Sequence, residues 1–153
     1  MADYVTDGKI GIDLTATYAS TSAGSTTLFP VTPGTRVTTS NNGVYIFVRA
    51  ESDIAQFDAV IMSTYADSAS LTPVLRAVPV STTNAAALGY SAVGFAQTAI
   101  TSSYYGWVGI NGVLRVNLLV ACNPKVPLYT TATPGSLDDT TVSAGYIQGI
   151  VAN

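Results

Sequence analysis

The side chains that could do chemistry in this sequence are few, and their types restrict what that chemistry would be. There is no histidine and only one cysteine, Cys122, and charged residues make up 10% of the chain. General acid–base catalysis and metal binding near neutral pH draw mostly on His, Cys and clustered carboxylates. Serine is abundant, but without histidine the Ser–His relay has no base, and neither Lys9 nor Lys125 lies in a recognisable Ser–Lys motif. Asp138 and Asp139 are adjacent; in extended chain they point opposite ways, which suits a solvated turn better than a calcium loop. Glu51 and Asp53 would share a face of an extended segment, the spacing of a glycosidase-like pair, yet nothing around them marks a sugar site. The glycines of Gly106-x-x-Gly109-x-x-Gly112 do not match a phosphate-binding spacing. The expectation is a protein that is not an enzyme, with no catalytic or metal residues and no cofactor.

Charge narrows the partners. The formal net charge is −3, and the six basic residues (Lys9, Arg36, Arg49, Arg76, Arg115, Lys125) are dispersed along 153 positions. Nucleic-acid binding needs clustered Lys and Arg, so no direct nucleic-acid contact is expected. No run approaches the ~18 apolar residues of a membrane helix, and the first residues lack the basic and apolar regions of a signal peptide. No membrane partner and synthesis in a cytoplasm are the expectations. Cys122 has no partner for an intramolecular disulfide and ends an apolar run, so it reads as a small buried hydrophobe, the alternatives being an intersubunit bridge or an exposed thiol.

The elements that would position these residues are strands. Residues 1–43 are dominated by Thr, Ser, Ala and Gly around the apolar anchor Leu28-Phe29-Pro30-Val31, and read either as an extended arm that docks on something or, equally, as an N-terminal segment that covers the chain's own surface. From residue 44 to 153 the pattern is a β-domain. Strands are expected at Val44 to Arg49, Ala59 to Met62, Pro73 to Val80, Ala92 to Ile100, Tyr104 to Ile110, Val113 to Ala121, Val126 to Thr130 and Tyr146 to Val151. Asn111-Gly112 reads as a hairpin turn between the fifth and sixth of these, and Leu114, Val116, Leu118 and Val120 alternate onto one face. Pro134-Gly135 marks a loop. Helix is expected only over Thr83 to Gly89, capped by Asn84, and Asp53 to Phe57 would make a single turn. Short strands with turns between them predict an all-β fold, a small β-barrel or sandwich preceded by the extended N-terminal arm.

In the 104–110 run both faces are apolar, so both should be covered. Tyr104, Tyr105 and Trp107 are therefore core or subunit-interface aromatics; the alternative is a sugar-stacking platform, although their Gly, Val and Ile neighbours offer no groups to hold hydroxyls.

An ordered series of short motifs resembles the head decoration (capsid cement) proteins of tailed bacteriophages. It comprises Asp7-Gly8-Lys9-Ile10-Gly11-Ile12-Asp13-Leu14, Gly34-Thr35-Arg36-Val37, Asn42-Gly43-Val44-Tyr45-Ile46-Phe47-Val48-Arg49-Ala50 and Ile54-Ala55-Gln56-Phe57-Asp58-Ala59-Val60. Val93-Gly94-Phe95-Ala96-Gln97, Tyr105-Gly106-Trp107-Val108, Pro127-Leu128-Tyr129-Thr130-Thr131-Ala132 and Ile147-Gln148-Gly149-Ile150-Val151 complete it. The resemblance implies a structural protein on the outer surface of the virion capsid, made in the host cytoplasm, with the major capsid protein as partner. It also implies a homo-oligomer, a trimer favoured over a dimer, and no catalytic residues. On that reading Leu28, Phe29 and Val31 are the buried anchors of a capsid-binding arm that docks by strand addition. The alternative is a carbohydrate- or receptor-binding β-module on a virion.

Overall fold

The computed structural model describes residues 12–19, 31–66, 73–88, 92–142 and 145–152. Nine strands and one short helix lie among the described residues, so the fold is all-β, and five of the strands close into a barrel. They are β2 (Val44–Ala50), β3 (Ala59–Ala66), β4 (Pro73–Pro79), β5 (Ala92–Ala96) and β6 (Tyr105–Asn111); β1 (Arg36–Thr38) lies outside the ring. The ring runs β2-β4-β3-β5-β6 and returns to β2, antiparallel everywhere except at β2–β4, where Arg49 lies beside Arg76 and Ala50 beside Ala77. One edge of β2 is taken by β6 from Val44 to Arg49; β1 and β4 divide the other, β1 along Val44–Ile46 and β4 at Arg49–Ala50.

Side-chain alternation assigns each strand two apolar sets. Ile46, Val48 and Ala50 of β2, Val60 and Met62 of β3, Ala77 of β4, Ala96 of β5 and Val108 of β6 form the interior. Ile54 and Ile100, hydrogen-bonded to one another through their backbones, join them where the β2–β3 and β5–β6 connections leave the same end. A five-stranded barrel is narrow, and the many alanines reflect that width. Gly94 shows how little room the barrel interior leaves: an added Cβ would lie 2.5 Å from Val108 Cγ1 and 2.9 Å from the Gly109 carbonyl oxygen.

The outward apolar sets are covered by the rest of the chain. Ala59, Ile61, Val80 and Phe95 pack under a three-stranded sheet of β8 (Leu137–Asp138), β7 (Pro127–Thr130) and β9 (Tyr146–Val151), in that order, through Leu128, Leu137, Ile147 and Ala152. Tyr45, Phe47 and Trp107 are covered from the N-terminal side by Val37, Ile12, Leu14, Tyr18 and Val31.

Gly135 locks the first covering in place. Its carbonyl accepts from Ala59 N–H and its own N–H donates to Val80 O, both at 2.8 Å, while Val80 N–H donates to Ala59 O. Its φ is +79°, and a Cβ there would lie 2.2 Å from the Asp58 carboxyl carbon. Only glycine meets both conditions, which is the physical content of the Pro134-Gly135 signal.

Several sequence expectations require correction. Residues 113–121 form no continuous strand: Leu118 makes a single bridge to Leu137, and Val113 and Val120 are fully exposed. The reason is closure. β6 is already paired with β5 on one edge and β2 on the other, so the chain after Asn111-Gly112 finds no edge to form a hairpin. The Ala92 strand ends at Ala96 rather than Ile100. Helix α1 (Thr82–Leu88) starts earlier than expected, and its cap is Ser81, whose Oγ accepts from Asn84 N–H at 3.1 Å. Asn84 instead donates its side-chain amide to Pro79 O. β1 and β8 were not foreseen. β1 falls inside the segment expected as an arm; Gly34 N–H donates to Phe47 O and Phe47 N–H to Thr35 O, extending it along β2.

Candidate functional site

Of the expected arm anchors, Leu28 and Phe29 lie outside the described residues. Val31 is half-buried against the Phe47–Trp107 cluster of its own chain. Phe47 is the hub there. The Trp107 ring stands 5.0 Å from it, that of Tyr18 5.9 Å edge-on and that of Tyr105 6.0 Å stacked, all within the range of favourable aromatic pairs. Tyr18 is fastened by two backbone bonds to Tyr105, of 2.9 and 2.8 Å. Trp107 is 2% exposed, its indole N–H is buried without a hydrogen-bond partner, and Tyr105 is half-buried. Tyr104 lies just before β6 and is 37% exposed, so the three aromatics do not share one surface.

The carboxylates are held by separate partners. Glu51 forms an ion pair with Arg76, while Asp53 Oδ1 accepts from Ser102 N–H at 2.7 Å. A concavity of about 100 Å³ lies between β2 and β4, lined by Arg49, Ala50, Glu51, Arg76 and Ser103. Sites for organic ligands typically enclose ~300–1,000 Å³. Asp58 is buried and structural: its two oxygens accept from Ala55 N–H at 2.8 Å and Asn117 Nδ2 at 3.0 Å, which ties the post-barrel segment to the start of β3. In the sequence Asp58 stands out only within the Ile54 to Val60 motif, because Asn117 is far away along the chain.

Cys122, Asp138 and Asp139 come together, with one potential ligand atom from each within 4.8 Å of the others. Asn123 occupies Asp139 Oδ2 with both its backbone N–H and its side-chain amide, at 3.1 and 2.6 Å. The side-chain bond, then the backbone bond, holds the Asp139 carboxyl below the usual carboxylate range. Burial pushes the Cys122 thiol up, and the charges of Asp139 and Asp138 push it further. A half-buried neutral thiol beside an engaged carboxylate is a poor nucleophile.

One surface was not singled out from sequence. In the C-terminal sheet Leu128, Thr130, Leu137 and Ile147 face the barrel, which leaves Pro127, Tyr129, Tyr146 and Val151 on the outer face. Tyr146 is 51% and Val151 60% exposed, Tyr146 and Tyr129 are register partners with rings 5.6 Å apart, and Val151 is the partner of Pro127. The available signal was the uncharged run Tyr146 to Val151, which nothing in the chain before it marks as an outward face. No family model, curated protein or solved structure matches the chain.

Proposed function

We propose that this chain is a structural virion protein of a tailed bacteriophage, a decoration protein that binds the outer surface of the head shell and reinforces it as a homo-oligomer. The observation that carries the reading is the apolar outer face of the C-terminal sheet, set on a barrel whose interior is filled by its own side chains. Such a molecule offers surfaces rather than clefts. The motif series from Asp7 to Val151 and the scarcity of reactive side chains agree with it. Affinity would come from several modest contacts acting together through multivalency.

The carbohydrate-binding alternative requires ring faces open to solvent. With Trp107 2% exposed, the proposed platform reduces to Tyr104 and part of Tyr105, so the geometry favours the shell-binding reading.

The direct experiment adds the purified full chain to heads of the encoding phage that lack it, followed by co-sedimentation and cryo-electron microscopy. Saturable binding with density at symmetry-related positions on the outer surface is the expected result. Failure to bind such heads at any concentration overturns the proposal.

A further inference from the structure

The edges of the two sheets are not equally protected. β1 has three residues and carries Arg36; β8 has two and carries Asp138. Short strands and charges are the usual devices that keep sheet edges from pairing with other chains. β9 has neither. It is six residues long, Tyr-Ile-Gln-Gly-Ile-Val, without a charge or a proline, and it is the last strand of its sheet, with no strand on its outer edge among the described residues.

We infer that β9 pairs antiparallel with β9 of a second copy of this chain, about a two-fold axis between Gln148 and Gly149. This rests on the reading of the chain as a self-associating structural protein and names the surface that does it. Side-chain parity carries the inference. In a regular strand, residues five apart point to opposite faces. β9 departs from this: between the partners Pro127–Val151 and Tyr129–Tyr146, two steps along β7 correspond to five along β9. The irregularity resets the alternation, so Tyr146 and Val151 both point outward while Ile147 and Ile150 both pack toward the barrel.

Directly opposed residues of antiparallel strands share a face. A two-fold between 148 and 149 sets Tyr146 against Val151 of the second copy and Ile147 against its Ile150, so outward residues meet outward ones and inward residues meet inward ones. A shift of one residue would break both matches. The same register completes two apolar rows across the axis, each running Tyr129, Tyr146, then Val151 and Pro127 of the second copy. Aromatic–β-branched cross-strand pairs of this kind are favourable. The surface is self-complementary, as a two-fold contact must be, and no charge lies on it to oppose two copies of net charge −3.

The test measures the mass of the full chain by light scattering over a concentration series, with hydrogen exchange of residues 146–151 recorded alongside. The expected result is a dimer whose formation slows exchange in β9. The double variant Tyr146→Lys/Val151→Lys changes only exposed side chains and sets like charges across the axis. It should weaken dimerisation by at least about tenfold and remove the concentration-dependent protection, with the circular dichroism spectrum retained. A chain that stays monomeric, or an oligomer unchanged by the double variant, overturns the inference. If the variant fails to fold, exchange in the unmodified chain decides alone: β9 protection that rises with concentration supports the pairing, and its absence overturns it. Head binding reports separately, since a β9-paired dimer that ignores heads overturns the functional reading only. A protein that decorates heads without β9 protection overturns the pairing only.

Discussion

Asp58 and Cys122 illustrate how environment decides what a reactive group does. Asp58 is a potential acid by type, yet one oxygen accepts from the neighbouring Ala55 N–H and the other from Asn117, 59 residues away. Replacing it with alanine leaves the Ala55 N–H without its acceptor and the Asn117 amide with the Gln56 carbonyl alone, and an unsatisfied buried donor costs ~1–3 kcal/mol. Asp58→Ala should therefore lower unfolding stability by about 1–3 kcal/mol, seen as a reduced urea midpoint at unchanged slope. Cys122 is expected to resist alkylation at neutral pH. The folded chain holds the thiol proton more tightly than the unfolded chain does, because burial and then the Asp139 and Asp138 charges disfavour thiolate. That contribution to stability is complete below the ordinary thiol pKa and is lost as pH rises through the raised one. Iodoacetamide labelling followed by mass spectrometry should show its inflection at higher pH for native than for urea-unfolded protein.

Among the elements, the barrel strands are legible from composition and alternation, while their partners are not. β2, β3, β4 and β6 occur where β-branched and aromatic residues cluster between turn signals, within a few residues of the expected limits. The parallel β2–β4 seam and the β2–β6 closure join residues far apart in sequence, and local pattern carries no mark of them. Residues 113–121 make the point from the other side. Their alternation is that of a strand, and half of it is used, since Leu114 and Val116 are partly buried while Val113 and Val120 stay in water. Gly94 tests the barrel's width. A methyl group at that position meets Val108 and the Gly109 backbone at the distances given above, so Gly94→Ala should destabilise by about 1–3 kcal/mol through overpacking, measured by chemical denaturation. An unchanged midpoint would mean that β5 and β6 can separate without loss.

The molecule as a whole is a closed barrel wrapped on two sides by its own chain. Trp107 is the test of that wrapping. Its ring packs on Phe47 within a cluster that Tyr18 and Val31 of the same chain cover, so Trp107→Ala should cost about 3–5 kcal/mol in stability and leave oligomer mass unchanged. Near-neutral stability with loss of association would instead make it a subunit contact. The outward set Pro127, Tyr129, Tyr146 and Val151 behaves differently, because nothing described in the chain covers it.

Strand-forming composition, two-faced apolar patterns and the near-absence of groups able to shuttle protons are properties of the residues themselves. The first two were readable as an all-β molecule. Whether a second apolar face meets the chain's own covering segments or open water depends on which strands become neighbours. So does the fate of an alternating run that arrives after both edges of β6 are taken. Those outcomes follow from ring closure, a pairing between distant segments that no local window contains.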